Sequence, residues 1–216
     1  MSIKQPQTDQ YKAFTANLAY ARNMVNAARN LHALRLGAVD IDDLYRAAWV
    51  QAVSALDHWL HEELFRRVRE IVETPGAEKP QQLQNLALPL SVVEEIRLNE
   101  TTTADAVDRR VRAAWEYAPL HNAEKIQDAY RLVTNKKLWG EAATQINAWH
   151  HGRTKWNDKT LAKHYQAIIN RRNKIAHSSD LEDGELGKRR PITEAETSDA
   201  IDWIERVALA FATVLG

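Results

Sequence analysis

At 216 residues, with 44% hydrophobic and 27% charged residues, the chain has the composition of a soluble globular domain long enough to bury one sizeable core. Lys+Arg and Asp+Glu both number 29, so overall charge carries no nucleic-acid signature. The absence of cysteine excludes disulfides, thiol nucleophiles and Cys-based zinc sites. The opening MSIKQPQTDQ lacks the apolar centre of a signal peptide, and no run approaches the ~18 apolar residues of a membrane span. The expected setting is the cytoplasm, away from membranes.

From Asp9 to Leu36 apolar residues recur at helical spacing (Tyr11, Phe14, Leu18, Ala21, Val25, Ala28, Leu31), and Gly37 is the expected stop. Asp40 or Asp42 can cap a second helix from Asp43 to about Val72, carrying Ala48, Trp49, Ala52, Val53, Leu56, Trp59, Leu60 and Leu64. Asp57 falls on or beside that apolar stripe, where an isolated carboxylate is costly and one facing an arginine is not. Thr74–Pro89, with three of the six prolines, reads as a loop. Helices are then predicted over Ser91–Leu98, Ala104–Ala118 (capped by Thr101–Thr103 and stopped by Pro119), Asn122–Val133 and Lys137–Trp149. Residues 74–150 read as a helical insertion into a core made by the first and last helix pairs. HHGRTKWND at 150–158 is a basic loop in which Trp156 can stack on a base or pack under the following helix. After a helix from Asp158 to His177, residues 178–192 read as a polar, mobile loop. Thr193 and Glu196 then form a capping box for a last helix through Ile201, Ile204, Val207, Phe211 and Val214. No segment alternates with period two, so the expected fold is all-α within one domain, 1–216.

The helix at 158–177 holds the densest chemistry. Leu161, Tyr165, Ile168, Ile169, Ile175 and Ala176 outline a buried face, and Arg172 lies within it. A guanidinium there requires a partner or a polar cleft. Asn173 and His177 are four apart and share the adjacent face. Between His151 and His177, seven Lys and Arg residues (Arg153, Lys155, Lys159, Lys163, Arg171, Arg172, Lys174) stand against one acid, Asp158, so phosphate can be drawn there. The bland alternative is a solvated helix face. His58, His61 and Glu62 share a helix face, but ordinary helix polarity outweighs a metal site there. No cofactor-binding motif is present.

Arg172-Asn173-Lys174-Ile175-Ala176-His177 resembles the R-N-x-x-x-H motif of the HEPN superfamily, and its surroundings resemble the RiboL-PSP branch. The likeness covers about the last sixty residues well and the helix from Asp43 to Glu70 moderately. It implies a helical, usually dimeric protein, often a metal-independent endoribonuclease of defence or toxin systems. In that branch an acidic residue tends to occur in the phrase here read AVSALDHWL, which implies that Asp57 supports Arg172 or Arg171.

RNA supplies its own nucleophile, the 2′-OH, so a metal-free ribonuclease needs proton transfer and positive charge at the phosphate. His177 suits general acid or base catalysis, Arg172 a bidentate phosphate clamp, and Asn173 positioning of the phosphate or the imidazole. Arg171, Lys174, Arg153, Lys155 and Trp156 are the expected RNA contacts. One imidazole per chain is thin for two proton transfers, and a symmetric homodimer with facing motif helices would supply a second in a composite site. An antitoxin or other defence partner fits the same resemblance. The alternative is a catalytically inactive HEPN scaffold that binds nucleotide, RNA or a partner protein through the same residues.

Overall fold

In the computed structural model, which describes residues 4–34, 40–182, 185 and 187–216, the apolar spacings become helices nearly where the sequence places them. Helix α1 (Asp9–Ala33) packs along α2 (Asp42–Glu73), the longest element. Their interface includes the rings of Tyr11 and Phe14 on Trp59, with centroids 5.9 and 5.6 Å apart. The predicted stop at Gly37 lies outside the described residues. The N-cap of α2 is Ile41, which gives no side-chain cap, rather than Asp40 or Asp42; Asp40, one residue earlier, accepts from the Asp42 amide at 3.1 Å.

The middle of the chain forms α3 (Gln81–Gln84), which the sequence reading took as loop, then α4 (Leu90–Arg97), α5 (Thr103–Trp115), α6 (Ala123–Tyr130) and α7 (Leu138–Trp149). Thr102 caps α5, and Asn122 caps α6 by accepting from Glu124 and Lys125 amides. These elements do not stand beside the core but enter it. Helices α5 and α6 lie on α2. Trp139 of α7 packs against two rings of the C-terminal helices, Tyr165 at 5.1 Å and Phe211 at 4.9 Å. One apolar cluster runs from Tyr11 to Ala212 and includes Leu83, Val107, Leu120, Ile126 and Ile146. Only α4 among the described helices buries none of its residues.

The C-terminal pair is α8 (Asp158–Ser178) and α9 (Glu194–Leu215). The capping box at Thr193 and Glu196 is present, and α9 packs on α1, α2, α7 and α8. Arg22 reaches Asp202 and Glu205, and Arg29 reaches Glu194, so ion pairs lace α1 to α9. The described residues are thus all-α, with no strand and a single isolated antiparallel bridge, Leu181 to Arg189. No described helix is long and apolar enough to cross a membrane.

That bridge belongs to the segment read as a mobile loop, and its described part is closed onto the protein. Helix α8 ends in two successive left-handed residues, Ser179 (φ 49°) and Asp180 (φ 58°), with no glycine to ease the turn. The Asp180 amide bonds back to the Lys174 carbonyl at 2.9 Å, and its carbonyl accepts from Arg190 at 2.8 Å. The turn drives the Asp180 side chain to 0% exposure. There its Oδ2 takes Arg171 Nη2 at 2.7 Å and Arg46 Nε at 3.1 Å. Arg46, itself buried, also donates to the Arg190 carbonyl at 2.8 Å, and Arg171 donates to the Pro191 carbonyl at 2.9 Å. A carboxylate between two guanidiniums joins α2, α8 and the chain entering α9.

Removing one member of a buried ion cluster leaves charge without a partner, at a cost of about 3–5 kcal/mol. Asp180→Ala should therefore lower unfolding free energy by about that amount in a denaturant titration, whereas Arg29→Ala, at an exposed pair, should cost under ~1 kcal/mol. Equal effects of the two changes would contradict this account of the turn.

Candidate active site

Helix α8 is held at its midpoint by Trp49 of α2, whose indole donates to the Ile168 carbonyl at 3.0 Å. One turn later the motif begins. Arg171 and Arg172 are about 100° apart around the helix, which separates their tasks. Arg171, expected to face RNA, instead points into the Asp180 cluster and is committed there. Arg172 is half-buried and donates from Nη1 to Asn173 Oδ1 at 3.0 Å. That bond occupies the amide oxygen of Asn173 and leaves its Nδ2 hydrogens for another acceptor. His177 stands exposed on the last turn of α8, and Lys174 is half-buried between them.

Asp57 is brought to the same region, but not as the sequence reading expected. Among the described residues it forms an ion pair with neither Arg171 nor Arg172; its Oδ2 lies 4.0 Å from His61 Nδ1. Asp57 and Arg172 both act on Tyr165. Tyr165, buried one face-repeat before Arg172, has its hydroxyl pKa raised by burial first and then by Asp57, while Arg172 pulls the other way. Three buried polar atoms here have no hydrogen-bond partner: Asp57 Oδ1, the Tyr165 hydroxyl and Arg172 Nε.

His121, which the sequence reading passed over, also belongs to this region. It is half-buried between Pro119 and the cap of α6. Its pKa is lowered from 6.5, first by burial and then by Arg172, with Lys125 and His177 adding to the effect and Asp57 opposing it. Nothing in the local sequence marks it beyond a histidine after a buried leucine and before an Asn cap, because its neighbours come from α2 and α8.

The basic loop lies elsewhere. At a rise of about 1.5 Å per residue, the 158 end of α8 is roughly 28 Å from His177, so Arg153, Lys155 and Trp156 do not converge on the motif. Arg153 and Lys155 are exposed. Trp156 takes the packing role, the second of the two its position in the sequence allows, and not the RNA contact. Its ring meets Trp203 edge-on at 5.0 Å and His164 at 5.3 Å, and its backbone is gripped by Asn147 through bonds of 2.8 and 2.9 Å. Ala176, expected on the buried face, is exposed.

His61 is committed to structure: Nδ1 lies 2.7 Å from the Asp57 carbonyl, and Nε2 lies 3.0 Å from the carbonyls of both Trp115 and Ala118. Among the described residues no group of three or more His, Cys, Asp or Glu gathers as a metal site. A hollow of about 760 Å³ opens between α6, α7 and α8 around Gln127, Lys137, Trp139 and Asp158, and no motif residue lines it. Arg172 is half-buried and His177 exposed on the following turn.

No family model, curated protein or solved structure matches this chain. The likeness to the HEPN superfamily stands on the motif residues themselves.

Two histidines give the fold a defined acid response. His164, like His121, has its pKa lowered, first by burial among Trp156 and Trp203, with Arg206 adding and Asp199 opposing. Between 6.5 and these lower native values the unfolded chain binds more protons than the folded one, so stability is complete above about pH 6.5 and falls as pH drops through that window. Thermal midpoints should fall from pH 7.5 to 5, and His164→Leu should flatten part of the decline. An unchanged slope in that variant would contradict the assignment.

Proposed function

We propose that the chain is a metal-independent endoribonuclease with a HEPN-like helical bundle, cleaving RNA by attack of its 2′-OH, in a defence or toxin-type setting in the cytoplasm. Arg172 holds the scissile phosphate, Asn173 positions it through Nδ2, and His177 carries a proton to or from the reacting oxygens. What supports the reading is the state of Arg172: a half-buried guanidinium steadied by a neutral amide, with Nε unpaired and, among the described residues, no carboxylate in ion-pair contact. A structural arginine is paired, as Arg171 and Arg46 are. An arginine kept without an anion in a partly desolvated place is prepared to take one from outside, and phosphate fits its planar fork. The exposed imidazole of His177 on the adjoining turn supplies the proton transfer that phosphate binding alone would not.

In this scheme Asp57 tunes the field of the site, and Lys174 adds positive charge beside the phosphate. Arg153 and Lys155 touch only RNA long enough to run the length of α8. The alternative reading, a scaffold that binds RNA or a partner without cutting, uses the same residues and is separated by turnover.

Purified protein should cut RNA and spare DNA, in EDTA, leaving 2′,3′-cyclic phosphate and 5′-hydroxyl ends. His177→Ala should lose about 10²–10⁴-fold in rate. Arg172→Ala should lose comparably, and both variants should keep their thermal midpoints within a few degrees. Cleavage stopped by chelator and restored by one divalent ion, or a folded His177→Ala at full rate, would overturn the mechanism. Tight RNA binding without turnover would establish the scaffold.

A further inference from the structure

We infer that the outer face of α8 is a track for one flank of a single-stranded RNA, leading from His177 to a lysine-lined hollow at the opposite end of the helix. The inference rests on the ribonuclease reading for the place of cleavage. It adds where the uncut strand lies and which residues hold it.

Lys159, Lys163, Gln166, Asn170, Asn173 and His177 follow one another at spacings of four and three, so they form a single line along α8, each exposed or half-exposed. From Lys159 to His177 the chain contains no Asp or Glu. A helix face that merely meets water commonly sets acids against bases one turn apart. Helix α2 does so here, pairing Arg66 with Glu70 and Arg69 with Glu73 at 2.8 Å. Among the described residues neither Lys159 nor Lys163 has an ion-pair partner.

The three amides on the line are turned the same way. Gln166 Oε1 accepts from the Ala123 amide at 3.4 Å, Asn170 Oδ1 from Gln166 Nε2 at 3.1 Å, and Asn173 Oδ1 from Arg172 Nη1 at 3.0 Å. Each amide oxygen is thus occupied within the protein, and what Asn170 and Asn173 still offer is N–H. Together with two ammonium groups and an imidazole, the line presents donors and positive charge with no competing carboxylate. The ligand that fits carries acceptors and negative charge at regular intervals, as a nucleic-acid backbone does.

The far end of the line opens into the hollow of about 760 Å³ between α6, α7 and α8. Lys159 belongs to both, and Lys136, Lys137 and Arg131 join it in the lining. Of the acids there, Asp128 is turned to Arg131 at 3.2 Å and Asp158 accepts from the Lys159 amide at 2.8 Å, which leaves Glu124 against three lysines. A hollow of that size takes one nucleotide of a single strand. From Lys159 to His177 is about 27 Å along the helix, the length of about eight nucleotides in a stacked strand at ~3.4 Å each.

Binding of uncleavable 2′-O-methyl RNAs of four and of twelve nucleotides tests the track. Wild type should hold the twelve-mer roughly 10-fold or more tightly than the four-mer at 0.15 M salt. Lys159→Gln with Lys163→Gln, and separately Lys136→Gln with Lys137→Gln, should remove most of that advantage. Each pair should also reduce the salt slope by about 1.4, at ~0.7 per phosphate contact of a single strand. Asn170→Asp keeps the oxygen that accepts from Gln166 and places a carboxylate on the line, so it too should weaken the twelve-mer. All five replaced side chains are exposed, so thermal midpoints should hold. A twelve-mer bound no more tightly than the four-mer, or bound equally by every variant, overturns the inference. Variants that bind RNA as wild type does but lose affinity for polyglutamate overturn it in favour of an acidic protein partner. A lysine-dependent gain with length, beside a wild type that leaves unmodified RNA uncut, overturns the ribonuclease reading and leaves the track standing.

Discussion

The buried carboxylate of Asp180 sets the geometry on which the candidate site depends. Arg46 enters from α2 and Arg171 from α8, and both close on one carboxylate oxygen. Taking three charges out of water is expensive, and hydrophobic packing of equal volume is often as stable or more so. What the cluster provides is position. It ends α8 at Ser178, turns the chain through two left-handed residues, and fixes the last two turns of α8 against α2. The backbone carbonyls of Arg190 and Pro191 complete the guanidinium hydrogen bonds, so the approach to α9 is fixed by the same contacts.

With Arg171 committed to that cluster, Arg172 is left on the adjoining face with a different chemical role. Adjacent in sequence, the two guanidiniums differ in whether an anion is already present. Arg172 donates to an amide oxygen, and among the described residues the Asp57 carboxylate does not come within ion-pair range of it. The Trp49 anchor and the apolar face of α8 hold the arrangement in place.

The helices were legible because burial imposes a three-to-four spacing that survives in the letters, and caps such as Thr193 with Glu196 are local. The motif on α8 was legible for the same reason, since Arg172, Asn173 and His177 are placed by one helix. What depended on packing between helices was not. Asp180 sits in a run of polar residues whose composition signals exposure, and only the fold shows the two arginines waiting for it. Which of two neighbouring arginines turned inward was decided by the angle of α8 on α2. Asp57 was placed in the right region with the wrong contact, because a stripe position fixes a face but not a partner. Trp156 and the basic loop were tied to the motif by sequence proximity alone, which a 21-residue helix between them defeats. His121 left no trace, being joined to the site by tertiary structure only.

The central claim is that Arg172 is held without an anion in order to receive a phosphate. Binding of a short RNA made uncleavable by 2′-O-methyl groups tests it without requiring turnover. A charge-assisted contact of about 1.5–3 kcal/mol predicts that Arg172→Gln weakens binding by roughly 10- to 100-fold while the fold is retained. Arg153→Gln, at the far end of α8, should change it little. Undiminished binding by a folded Arg172→Gln would contradict the account.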